Sequence, residues 1–121
     1  MKILKVTFLL LFFVMSSSAV LAQVQIQSNN FSADPTTVQG YTLDKTTGDR
    51  SVTIVVTFDK PFVNKPTVVL SVTKLDADTK SNVRYNIQAT AVTKEGFVLQ
   101  ISTWSESKIY GINGIWVAYS D

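Results

Sequence analysis

An antiparallel all-β sandwich is the fold class that this sequence predicts, and three observations lead to it. From Ser51 onward the chain is a series of short runs rich in β-branched and aromatic residues, separated by turn signals. Several of these runs alternate apolar and polar side chains with a period of two. No segment of the mature part carries a helical period. Five to six short strands in one domain imply two antiparallel sheets packed face to face.

The first residues stand apart from that pattern. Lys2 and Lys5 form a positive start, the stretch from Val6 to Met15 is apolar except for Thr7, and Val20-Leu21-Ala22 supplies compact residues. The apolar core is about ten residues, where a membrane span needs roughly twenty. Residues 1–22 therefore read as a secretory signal peptide, cleaved after Ala22. A secreted protein, extracellular or at the cell surface, is expected. Residues 23–121 then have the size of one domain. Residues 23–50 read as an N-terminal strand and loop segment packing on the domain, and 51–121 as the sandwich itself.

The whole chain has 11 basic and 9 acidic residues, a formal net charge of +2. Lys2 and Lys5 leave with the signal, so the mature chain is balanced. It gives no electrostatic case for nucleic acid or for an anionic membrane. Cysteine and histidine are both absent. Disulfides are excluded, as are Ser-His and Cys-His nucleophile systems and the usual zinc ligands. Stability must come from packing, alone or together with association of protomers. No enzyme, cofactor or metal site is expected.

The elements follow in order. Val24 and Ile26 alternate with glutamines, predicting a short strand over 23–27. Asn30, Asp34-Pro35, Gly40 and Thr46-Thr47-Gly48-Asp49 read as turns or loop. Residues 52–58 form a clear strand ended by Asp59-Lys60-Pro61. Residues 67–74 form another, after Asn64-Lys65-Pro66, and 75–81 read as a polar connection. The cleanest alternation comes next: Val83, Tyr85, Ile87, Ala89 and Ala91 on one face, Arg84, Asn86, Gln88 and Thr90 on the other. Lys94-Glu95-Gly96 reads as a hairpin turn, with glycine available for a positive φ. Phe97, Leu99 and Ile101 then alternate with Gln100 and Ser102 up to Thr103-Trp104. After a turn at Ser105-Glu106-Ser107, residues 110–119 form a last strand, apolar on both faces apart from Asn113.

Three residues are candidates for function. Arg84 lies on a polar face, where its guanidinium offers a rigid fork of donors to paired acceptors such as vicinal hydroxyls; a plain solvated arginine is the alternative. Trp104 falls with Val98, Gln100 and Ser102 and not with the core set, which makes it an amphipathic platform, an edge cover or a contact between protomers. Tyr110 follows six residues later. If 103–110 is a hairpin, Trp104 and Tyr110 lie near each other on its arms. Two aromatics beside a polar fork fit a saccharide: stacking for the ring face, hydrogen bonds for the hydroxyls. Other signals are weaker. Asp76, Asp78 and Asn82 lack the bidentate glutamate of a calcium loop and have Lys80 among them. Asp49, Asp76 and Glu106 are dispersed and offer no acid pair for glycoside hydrolysis. Asn30-Phe31-Ser32 matches an N-glycosylation acceptor.

A longer pattern joins these pieces. Phe58-Asp59-Lys60-Pro61-Phe62, Pro66-Thr67-Val68-Val69-Leu70-Ser71 and Leu75-Asp76 are followed by Asn82-Val83-Arg84-Tyr85 and Val92-Thr93-Lys94-Glu95-Gly96-Phe97. Thr103-Trp104-Ser105-Glu106-Ser107-Lys108-Ile109-Tyr110 and Ile115-Trp116-Val117-Ala118-Tyr119 complete it. From about Val52 to Tyr119 this resembles, in one register, the H-type lectin domain family, of the snail agglutinin and discoidin C-terminal domain type. The resemblance implies an antiparallel six-stranded β-sandwich that assembles as a homotrimer and binds glycans ending in N-acetylgalactosamine or galactose. It implies that Arg84 hydrogen-bonds sugar hydroxyls and that Trp104, Ser105 and Tyr110 line the pocket near a protomer boundary. An N-terminal acid beside a glycine completes the family site; Asp49 next to Gly48 is the candidate, with Asp44 as the alternative. Ser105 stands where some members carry histidine, a departure that bears on the choice among galactose-type sugars. The expected function is a multivalent carbohydrate-binding lectin, the alternative a secreted structural or adhesion module that binds proteins through exposed aromatics.

Overall fold

The computed structural model describes residues 23–121; the expected signal peptide lies outside the described residues. Six strands are formed: β1 (Gln25–Ala33), β2 (Arg50–Thr57), β3 (Thr67–Ala77), β4 (Tyr85–Thr90), β5 (Gly96–Thr103) and β6 (Ile109–Ser120). They pair antiparallel throughout, in two three-stranded sheets of order β1-β6-β3 and β2-β5-β4. The fold is an antiparallel six-stranded β-sandwich. Of the consecutive strands only β4 and β5 are neighbours in one sheet, so every other connection crosses between layers.

The composition of each strand explains its place. β6 is apolar on both faces because it is the centre of its sheet, with one face on the core and strands on both sides. Its inward residues Ile112, Trp116 and Ala118 meet Phe97, Leu99 and Ile101 of the facing sheet, all buried. Phe58, Phe62, Phe97 and Trp116 close one end of the core as an aromatic cluster, with ring centroids 4.9–5.9 Å apart in tilted and edge-on pairs. At the other end the β1–β2 connection sends in Tyr41 and Leu43. The Tyr41 hydroxyl donates to the Ile109 carbonyl at 2.7 Å, and burial raises its pKa well beyond the ordinary tyrosine range.

Several local expectations change. β1 runs nine residues and pairs with β6 along its whole length, so Asn30 is in a strand and not in a turn. An edge strand needs apolar side chains only where the facing sheet covers it, here at Phe31 and Ala33. β3 continues through Leu75 to Ala77, where a connection was expected, because β6 keeps pairing with it through two register shifts. β4 begins at Tyr85, and both Val83 and Tyr85 are exposed; its apolar face packs on the core from Ile87 onward. Gly96 does not supply a positive φ. In the β4–β5 connection Ala91 takes that conformation, at φ 50°. Gly96 is needed for space instead, because a Cβ there would run into the Val56 carbonyl oxygen. Gly114 is caught in the same way between the Ser71 carbonyl and the Phe31 ring. Among the described residues no helix is long and apolar enough to cross a membrane.

Candidate functional site

Register brings three loops to one end of the β2-β5-β4 sheet. Thr103, the last residue of β5, pairs with Arg50 at the start of β2 and with Tyr85 at the start of β4. The residues just outside those ends, Asp49, Arg84 and Trp104, are therefore neighbours across strands, although up to 55 positions separate them in the chain. The antiparallel order alone does this.

Arg84 is fixed by its backbone. Its N–H donates to Ser107 Oγ at 2.9 Å, its carbonyl accepts from Thr103 Oγ1 at 2.5 Å, and Ser107 Oγ also donates to the Asn82 carbonyl. The guanidinium, half-buried, points at Glu106 with Nη1 2.6 Å from Oε1. Ser105 Oγ donates to the other carboxylate oxygen at 2.6 Å. Ser105 itself adopts φ 60°, which tightens the turn that lets both partners reach Glu106. Glu106 thus has a pKa held down at about 2, first by the Ser105 hydroxyl and then by the Arg84 guanidinium.

The sign of that shift gives a prediction. A depressed carboxylate pKa adds stability above its ordinary value near 4.5, and this is lost as pH falls through about 2. In a carbon-13 NMR titration the Glu106 carboxyl is expected to titrate near pH 2. Ser105→Ala is expected to move that midpoint upward; a midpoint near 4.5 in the parent protein would refute the bridge.

Sequence reasoning missed Glu106 as part of this network and missed Arg50 altogether. Arg50 is buried at 9% exposure, and its donors reach only main-chain carbonyls. Nε donates to Gly48 (2.9 Å), Nη1 to Lys45 (2.9 Å) and Leu43 (3.4 Å), and Nη2 to Ser105 (3.0 Å) and Ser107 (2.8 Å). One signal was available: Arg50 is in the same period-two set as the inward residues Val52, Ile54 and Val56.

Among the expected site residues, Arg84, Trp104 and Ser105 gather at this sheet end. Gly48 joins them directly, its N–H donating to the Ser105 carbonyl at 2.9 Å, and its φ of 87° is one that favours glycine. Asp49 lines a shallow depression with Arg50, Ser51, Gln100, Ser102, Thr103 and Trp104. Trp104, 40% exposed, presents its indole there. Arg84, Ser105 and Asp44 are not part of this lining, and Asp44 Oδ1 is buried without a hydrogen-bond partner. The expected Trp104–Tyr110 hairpin does not form, because β5 and β6 belong to different sheets. Tyr110 is exposed where β6 bulges against β3, in the register shift between Asp76 and Ala77, and does not line the depression. The assembled groups can supply directed hydrogen bonds beside a flat apolar face. Among the described residues no cluster of acids is placed to hold a metal ion.

Comparison with known proteins decides the family, since the H-type lectin domain matches residues 53–119, more than half of the chain. The chain belongs to the H-type lectin domain family. The chain is 34% identical over 71 residues to the protein "ATP synthase subunits region ORF 7" of Fuscovulum blasticum, covering 59% of this chain and 62% of that protein. It is 29% identical over 96 residues to one of the Discoidin-1 polypeptides of Dictyostelium discoideum, covering 78% of this chain and 38% of that one. A solved structure of wild-type discoidin II from the same organism superposes with a TM-score of 0.72 at 26% identity, over 82% of this chain and 37% of that chain. The chain thus spans less than two thirds of each of these relatives. The matched lectin segment contains Arg84, Trp104, Ser105, Glu106 and Tyr110; Gly48, Asp49 and Arg50 precede it.

Proposed function

We propose that this protein is a secreted lectin for glycans ending in N-acetylgalactosamine or galactose, working multivalently as a homotrimer. The observation that carries the reading is the register that sets Asp49, Trp104 and Arg84 side by side at one sheet end, with Asp49 and Trp104 lining one depression and Arg84 tied to Glu106. Glu106 holds Arg84 through Nη1. Its other guanidinium donors can then address a pair of vicinal hydroxyls, with Asp49 as an acceptor opposite. The indole covers the apolar face of the pyranose. Tyr110 lies outside the depression of its own protomer, and in this reading it reaches a site only across a protomer boundary, from a neighbouring copy.

Magnitudes favour weak single sites. A hydrogen bond to a charged group contributes about 1.5–3 kcal/mol and stacking about 1 kcal/mol, before ordering costs. Such sums correspond to dissociation constants from about millimolar to tens of micromolar. Avidity over several sites adds roughly a hundredfold or more.

The outer face of the β1-β6-β3 sheet supports self-association. It is crossed by three rows set by register: Ile26–Tyr119–Thr67, Ser28–Val117–Val69 and Asn30–Ile115–Ser71. Ile26, Val69, Ile115 and Tyr119 are exposed, and none of the three rows carries a charge. Copies meeting on such a face bury no unpaired charge.

A glycan array of the mature protein, run beside its mass in solution, tests the reading. Signal is expected on terminal galactose and N-acetylgalactosamine, with a mass of three protomers. A silent array together with specific capture of a protein partner would favour the adhesion-module alternative.

A further inference from the structure

We infer that Arg50 is the positioning residue of this site: it holds the Gly48–Asp49 loop against the Trp104–Ser105 turn so that both can meet one ligand. The sugar-dependent part of this inference rests on the proposed function; the positional part does not.

Two chain segments have to be joined. One is the loop over 43–49 before β2, the other the turn over 104–107 after β5. Neither contributes a side chain to the core at Asp49 or Trp104, both of which are exposed. Direct contact between the segments is thin, with the Gly48 N–H on the Ser105 carbonyl as their one backbone hydrogen bond apart from strand pairing. Arg50 supplies the remainder. Three of its five acceptors lie on the first segment (Leu43, Lys45 and Gly48) and two on the second (Ser105 and Ser107).

A guanidinium has five N–H donors in a fixed planar fork, so five carbonyls satisfy it completely and in one arrangement. The geometry of the fork therefore sets the spacing of the two segments. Among the described residues Arg50 has no carboxylate partner. Its hold on the loops does not depend on the ionisation of any acid. Burial reinforces the constraint, because a displaced carbonyl would leave a buried N–H unpaired. Lysine cannot replace it: an ammonium has three donors on one atom, too few for five acceptors spread over a plane.

The experiment compares the parent protein with Arg50→Met and Arg50→Lys, all well below their melting temperatures and each checked for native circular dichroism. Amide exchange at Gly48 is read by NMR relative to the core amide of Ile101. Binding of N-acetylgalactosamine is measured by calorimetry. The expected result for Arg50→Met is exchange at Gly48 at least tenfold faster relative to Ile101, with a Kd at least tenfold weaker; Arg50→Lys should fall between. A role confined to general stability would speed both amides together and leave the Kd of the folded protein unchanged, which overturns the inference. If Arg50→Met does not fold, Arg50→Lys alone decides, and unchanged Gly48 protection in it counts against us. If the parent protein binds no sugar, the proposed function fails while the Gly48 exchange ratio still decides the role of Arg50.

Discussion

Arg84→Ala is expected to abolish retention on a galactose-type resin while leaving circular dichroism, melting temperature and oligomeric mass close to those of the parent. The hydrogen bonds that fix position 84 involve its main-chain N–H and carbonyl, with Ser107 and Thr103, and alanine keeps both. The side chain is 35% exposed and its ion pair with Glu106 sits at the surface, where such pairs add little to stability. Loss of one or two charged hydrogen bonds to sugar, at about 1.5–3 kcal/mol each, weakens binding roughly tenfold to more than a hundredfold. From a millimolar-to-micromolar start, that ends detectable retention. Arg84→Lys is expected to restore little, since a point charge cannot offer paired donors to vicinal hydroxyls. Unchanged retention by a folded Arg84→Ala protein would remove Arg84 from the site.

The fold was legible because a sandwich writes its layers into the period-two pattern. Phe97, Leu99 and Ile101 alternate with polar residues because one side of β5 faces the core. β6 shows no alternation because it is the central strand of its sheet. What failed to read were places where burial ends before pairing does. β1 keeps its hydrogen bonds through Ser28, Asn29 and Asn30, whose side chains are all exposed, so composition there looks like a loop. Gly96 illustrates the opposite limit. Its need is steric, set by a carbonyl on β2, forty positions away in sequence, and no local pattern announces that.

Arg84 and Trp104 stood out for a related reason: each puts an unusual side chain on the polar side of an alternating strand. Glu106 and Arg50 were harder. A glutamate in a Ser-Glu-Ser turn is indistinguishable from solvent-facing punctuation until Arg84 is placed beside it. Arg50 bonds only to main-chain carbonyls, so no complementary side chain exists to be recognised. The pairing of Trp104 with Tyr110 rested on short sequence separation, and the sheet order overrode it: the turn after Trp104 carries the chain from one layer to the other.

Ile115→Glu separates the site from the assembly. Ile115 lies mid-strand on the outer face of β6, between Asn30 and Ser71, and is 38% exposed in the single protomer. A carboxylate there meets water if the protomer is alone, so the fold should survive. In an interface built on this face the same carboxylate would be buried without a partner, a large penalty. Sedimentation is expected to show one protomer instead of three. The Kd for free N-acetylgalactosamine should stay near the parent value, since nothing at the β2-β5-β4 sheet end changes. Apparent affinity for a glycan-coated surface should fall about a hundredfold, the share that several linked sites supply. Thr53→Glu, on the outer face of the other sheet, is the matched control and should remain trimeric. A trimeric Ile115→Glu would put the contact elsewhere. Arg84→Ala should lose free sugar and surface together, and Ile115→Glu the surface alone; only a protein whose sites are individually weak and collectively strong gives that pair of results.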